Sequence, residues 1–167
     1  MWFRSLIPSL KPRPSVTTTR HSRRRQAAPR LAVEALDDRC LPSTFTVTNL
    51  LDSGAGSLRE AVASANANPG ADTIEFTTTG TIGLTSGQLD ITDSLTINGP
   101  GASALTVSGE GLSRVFAIAG DPTVRIAGLA VAYGSTTDSP GGGISMAGGT
   151  VTLDQVTVSG KDRKSVV

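Results

Sequence analysis

Six charged side chains in the body of the chain are the candidates for chemistry: Asp90, Asp93, Asp121, Arg125, Asp138 and Asp154. Cleavage of a sugar polymer would need two carboxylates across one bond, or a calcium site beside a basic residue. Asp93, Asp121 and Asp138 stand among turn residues, where Asp is ordinary. Arg125 and Asp154 are single outward positions beside strands, and a surface ion pair explains them as well as catalysis does. No catalytic residue is assigned, and the expectation is a protein that is not an enzyme. Cys40 is the sole cysteine and His21, in an Arg-rich arm, the sole histidine. A cysteine nucleophile or a metal centre is therefore not expected. Gly141-Gly142-Gly143 lacks the Lys-Ser/Thr and the helix that a phosphate loop requires, so no cofactor is expected. Asn98 is a candidate for an internal ladder of stacked amides, but as one Asn before Gly99 it reads as a turn residue.

The elements that carry these residues repeat. Thr123-Val124-Arg125-Ile126 and Leu129-Ala130-Val131 return as Thr150-Val151-Thr152-Leu153 and Val156-Thr157-Val158, offset by 27 residues. Phe116-Ala117-Ile118 returns as Ile144-Ser145-Met146, offset by 28. Three short strands per repeat predict a coil of β-structure. A less regular trio, Leu89–Ile91, Leu95–Ile97 and Leu105–Val107, precedes them at offsets of 27, 29 and 24. The segments 89–107, 116–131 and 144–158 thus predict about three rungs. The 27-residue register puts Thr152 on Arg125 and Asp154 on Ala127, which brings Arg125 and Asp154 within reach on adjacent rungs. Further strands are predicted at Thr44–Asn49, Thr73–Phe76 and Thr81–Leu84.

Between the first two lies a helix signal. Ser57-Leu58-Arg59-Glu60 matches a capping box, with the Ser57 hydroxyl on the Glu60 amide and the Glu60 carboxylate on the Ser57 amide. Leu58, Ala61, Val62 and Ala65 follow at helical spacing, and Asn66, Asn68, Pro69 and Gly70 end a helix of about ten residues. Its apolar face is expected to cover the open end of the coil, as solenoid termini require. Arg59 and Glu60 are expected to face water.

Aromatic residues are only 4% of the 167, which suits a narrow interior of Val, Ile, Leu and Ala. Charge is unevenly distributed. Residues 1–40 carry nine Lys/Arg and three Asp/Glu, residues 41–161 four and ten. An acidic body argues against nucleic acid as a partner. No stretch of 18 apolar residues encodes a membrane span. Residues 1–43 are broken by Pro8, Pro12, Pro14, Pro29 and Pro42 and read as a largely disordered leader.

Two segments carry a family resemblance. Val33-Glu34-Ala35-Leu36-Asp37-Asp38-Arg39 resembles the "LExLEDR" signature near the N-terminus of large bacterial surface proteins, with Val33 and Asp37 as departures. Gly56-Ser57-Leu58-Arg59-Glu60-Ala61-Val62 resembles the start of right-handed parallel β-helix surface proteins, including the family named for "CSLREAI". Gly56 stands here in place of its Cys. The resemblance spans residues 44–160. It implies an all-β, right-handed parallel β-helix with an N-terminal helical cap, secreted or displayed on a bacterial surface. It also implies a structural or adhesive role, with carbohydrate or other surface proteins as partners. The alternative it implies is the N-terminal part of a polysaccharide lyase or glycoside hydrolase with its site further along. "GGGI" in that company is a turn into a strand, where Gly supplies positive φ. Residues 162–167 match one reading frame of a sequencing adapter and are expected to be non-native, leaving an incomplete β-helix at residues 44–161 that self-associates through its last rung.

Overall fold

The computed structural model describes residues 41–136 and 142–160. Residues 1–40 of the leader, which include the sorting-like segment up to Cys40, lie outside them, as do Asp138 and residues 162–167. In chain order the elements are β1 (Thr44–Val47), α1 (Leu58–Ala67), β2 (Asp72–Phe76), β3 (Gly80–Gly83), β4 (Leu89–Ile91), β5 (Leu95–Asn98) and β6 (Leu105–Ser108). They continue with β7 (Phe116–Ile118), β8 (Thr123–Ala127), β9 (Ala130–Ala132), β10 (Ile144–Met146), β11 (Thr150–Asp154) and β12 (Thr157–Ser159). Every pairing is parallel. The strands form three sheets: β1-β2-β5-β8-β11, β3-β6-β9-β12 and β4-β7-β10. The fold is a parallel β-helix of about four turns with one short helix.

The expected registers hold. Val151 lies on Val124, Leu95 on Val124 from the other side, and Phe116 between Leu89 and Ile144. The count of rungs needs correction. Strands β2 and β3 stack beneath β5 and β6 and begin a further turn. Their offsets to the next rung, 23 residues from Asp72 to Leu95 and 25 from Gly80 to Leu105, differ from the later 27. Corner length varies while strand register is kept.

Alternation of side chains explains the core. Strands place successive residues on opposite faces, so one residue in two points inward. Ile74, Ile97 and Ile126 form one fully buried column of the first sheet. Ile82, Val107 and Val131 do the same in the second, and Leu89 with Phe116 in the third. On the last described rung, the inward residues Leu153 and Val158 are 43% and 44% exposed. Asp72 breaks the pattern, for it is buried in the column that carries Leu95 and Val124 above it. Its Oδ1 accepts from the Ser43 amide and from Asn68 Nδ2, both at 2.8 Å.

Helix α1 buries Leu58, Ala61, Val62 and Ala65, as its spacing predicts. The Ser57 hydroxyl accepts from the Glu60 amide at 3.2 Å. The return bond is shifted by one residue: Glu60 Oε2 accepts from Gly56, at 2.6 Å, while the Ser57 amide donates to Gly54. The helix covers the edge of β4 with polar side chains. Asn66 donates to the Asp90 carbonyl (2.7 Å) and accepts from the Thr92 amide (2.9 Å). Arg59 donates to the carbonyls of Gly87 (2.6 Å) and Gln88 (2.9 Å). Arg59 therefore does not face water as its helix position suggested. Side chains here take the place of a strand's peptide groups.

Corners need close backbone approach. At the turn from the first to the second sheet, Gly128 has φ +61°, and a Cβ there would lie 2.4 Å from the Gly99 carbonyl oxygen. The second turn corrects an expectation. Gly142 and Gly143 do not adopt positive φ; a Cβ on Gly142 would meet the Gly134 carbonyl oxygen at 2.7 Å. Space, not φ, requires glycine there.

Two substitutions test the cap. Ser57→Ala is expected to lower stability by about 0.5–2 kcal/mol in thermal or urea melts. Leu58→Asp is expected to cost more, because it buries a charge. An unchanged melt for Leu58→Asp would show that the helix does not seal the coil.

Candidate functional site

The outer face of the first sheet carries the most ordered polar array among the described residues. One outward column is Thr44, Thr73, Thr96, Arg125 and Thr152. The neighbouring column is Thr46, Glu75, Asn98, Ala127 and Asp154. Arg125 leans sideways over the small Ala127 position. Its Nη1 donates to Asn98 Oδ1 at 3.2 Å and its Nη2 to Asp154 Oδ2 at 2.5 Å. Asn98 Nδ2 in turn donates to Glu75 Oε1 at 2.8 Å. The result is one continuous chain, Glu75–Asn98–Arg125–Asp154, climbing four rungs. Arg125 and Asp154 are 42% and 51% exposed, so the upper end meets solvent.

The expected meeting of Arg125 and Asp154 thus occurs. Asp90, Asp93 and Asp121 lie apart from it, and Asp138 is outside the described residues. Asp90 is exposed on β4 and accepts from Gln88 Nε2 at 2.8 Å. Asp93 holds a turn, accepting from Ser94 (2.7 Å) and Gly70 (3.3 Å) amides. Asp121 is exposed beside Pro122. Glu75 was not singled out by sequence. Asn98, read there as a turn residue, is the last residue of β5 and the middle of the ladder. The 23-residue offset that places Glu75 under Asn98 was the missing signal.

Chemically the ladder suits contact more than bond cleavage. Glu75 and Asp154 stand three rungs apart, about 14 Å at the spacing of neighbouring strands, whereas glycosidic cleavage uses carboxylates within roughly 5–9.5 Å. Both are also already engaged, one by Asn98 and the other by Arg125. Among the described residues, no three His, Cys, Asp or Glu side chains gather to hold a metal ion.

A second polar cluster lies where the helix meets the third sheet. Asp52 Oδ1 accepts from Arg59 at 2.7 Å, and Oδ2 accepts from Thr85 and Ser86 amides and the Thr85 hydroxyl. Burial pushes the Asp52 carboxyl upward, and hydrogen bonds from Ser86, Arg59 and Thr85 more than reverse this, holding it well below the usual carboxylate range. Beside it, Arg59, Val62, Ala63, Asn66, Gln88, Leu89 and Asp90 line an open cleft of about 210 Å³. Its polar groups are paired with one another or with backbone, so it is a seam that holds the helix.

The Asp52 cluster predicts a pH dependence. A folded-state pKa below the unfolded value of about 3.9 means stability is fully present above that value and is lost as pH falls toward the folded pKa. Asp52→Asn is expected to cost about 1–3 kcal/mol at neutral pH, since it weakens charge-assisted bonds. It should also flatten the loss of stability on acidification below about pH 4. Urea melts across that range check both; an unaltered acid profile would show that Asp52 is not the titrating anchor.

No protein-family model matches this chain, and no curated protein matches it in sequence.

Proposed function

We propose that this chain is an exported, surface-displayed β-helix with a structural or adhesive role, and that it contacts carbohydrate along the outer face of its first sheet. The observation that carries this reading is the Glu75–Asn98–Arg125–Asp154 ladder beside the threonine column. Donors and acceptors recur at one rung spacing, about 4.8 Å. That is close to the length of one unit in an extended sugar chain, so a polysaccharide running up the face would meet similar partners at each step. The strands beneath hold these groups in fixed positions, which limits the ordering cost of binding. The basic leader and the "LExLEDR"-like segment support export.

Binding is tested by affinity electrophoresis of the 167-residue chain against a panel of soluble polysaccharides. Replacing Asn98 and Arg125 together by Ala is expected to weaken retardation by roughly tenfold or more, the scale of losing charge-assisted bonds. The fold should survive, because an exposed ion pair contributes only about 0–1 kcal/mol. Wild-type retardation in the double variant would remove this face from the reading.

Export is tested separately. A reporter fused behind residues 1–43 should reach the surface of a suitable bacterial host, and deletion of those residues should abolish this. Surface display without them would remove the sorting role.

A further inference from the structure

The described residues include three arginines, and two are paired. Arg59 is held by Asp52 and two carbonyls, and Arg125 by Asn98 and Asp154. Arg114 differs. Among the described residues its guanidinium makes no hydrogen bond or ion pair, and its Nε is buried without a partner. A half-buried cation without a counter-charge is costly, and native structures rarely leave such a donor unsatisfied.

Its setting explains why none of the described residues on its own flank pairs with it. Two residues before the stacked set Leu89, Phe116 and Ile144 stand Gly87, Arg114 and Gly142. The rungs above and below therefore present glycine, which offers no side chain and leaves room. Glu110, the acidic residue of the same loop, is turned toward β3: its Oε1 lies 3.1 Å from where a Cβ on Gly83 would be. Asp52, near Gly87, has both oxygens filled by Arg59, Thr85 and Ser86.

The same corner displays an aromatic ring. Tyr133 is 54% exposed and has φ +48°, a left-handed conformation that is rare for a bulky residue. Hydrogen bonds fix it there on both sides: its amide donates to the Ser159 carbonyl, and its own carbonyl accepts from Gly111. The Ser135 amide donates to the Ser113 carbonyl, tying the Tyr133 segment to the loop that carries Arg114. Strain of this kind persists where the surroundings over-determine it, and it concentrates at binding sites. An unpaired planar cation and a displayed aromatic ring on one rigid corner suit an acidic sugar. The guanidinium matches a carboxylate in two parallel bonds, and the ring offers a face for the pyranose.

We propose that the Arg114–Tyr133 corner binds the carboxylate-bearing units of an acidic polysaccharide, with Arg114 pairing the uronate carboxylate and Tyr133 stacking on the sugar. This rests on the reading that the chain contacts carbohydrate, but it concerns a different flank.

Affinity electrophoresis of the full chain in polygalacturonate and in its fully methyl-esterified form decides the matter, because the two share a backbone and differ in charge. The acid is expected to bind roughly 10- to 100-fold more tightly than the ester, the range for losing a hydrogen bond to a charged partner. Arg114→Gln should erase that preference with no fall in melting temperature, and Arg114→Lys should restore part of it. Tyr133→Phe should retain binding. Tyr133→Gly should weaken both ligands while raising the melting temperature, since it relieves the left-handed strain. Equal binding of acid and ester, or an acid preference kept by Arg114→Gln, overturns the proposal and leaves carbohydrate contact on the first sheet standing. A lowered melting temperature in Arg114→Gln assigns the residue to the fold and overturns it as well. No retardation by any polysaccharide overturns both readings.

Discussion

The peptide groups along the lower edge of β4 have no strand beneath them, and the N-terminal part of the described chain is organised around giving them partners. A parallel sheet leaves N–H and C=O groups unpaired at each edge, and such edges pair with whatever strand they meet. Here Asn66 serves as an imitation peptide, accepting from Thr92 and donating to Asp90. Arg59 holds the carbonyls just before the strand, and Asp52 holds the amides before those. Asp52 in turn grips Arg59. One ion pair thus fixes both the helix and the loop that enters the third sheet. Leu58, Val62 and Ala65 can then lie flat over the interior. The apolar seal depends on the polar one, because helix position is set by bonds whose geometry is directional.

The same economy governs the outer face of the first sheet. Each rung contributes few groups, yet Arg125 serves two rungs because Ala127 leaves it room to lean across. A larger residue at 127 would push the guanidinium back into its own column and separate Asn98 from Asp154. Small residues therefore shape this surface as much as charged ones do. The corners follow the same logic, where Gly99 and Gly128 meet backbone to backbone and Gly142 lies against Gly134.

Much of this was legible in the sequence. The 27-residue return of Val124 as Val151 and the alternation within each strand gave both the sheets and their register, because strand spacing along a coil is set by backbone geometry. The helix was legible from Ser57 and the spacing of Leu58, Ala61, Val62 and Ala65. Less could be read where side chains reach out of their own element. Arg59 sits on the polar side of a helical pattern, and only the folded path of residues 85–88 turns it into a structural tie. Glu75 was hidden because the first complete rung is four residues shorter than the regular repeat, and Asn98 was read as a turn residue because Gly99 follows it. Arg114 could not be recognised at all, since its distinction is the lack of a partner among the described residues, and partners are a property of the fold.

The direction of strand pairing also has a mechanical meaning. Every ladder bond in the coil points along the axis, whereas the chain itself runs around it. A tether pulled end to end would load those bonds one rung at a time, by peeling, and would not have to shear a whole sheet at once. Each released rung of 27 residues, the offset between Val124 and Val151, would extend by about 90 Å at the reach of a stretched chain. Such a coil yields in steps under tension and keeps its remaining rungs intact, so the load at its ends would fall in stages and not all at once.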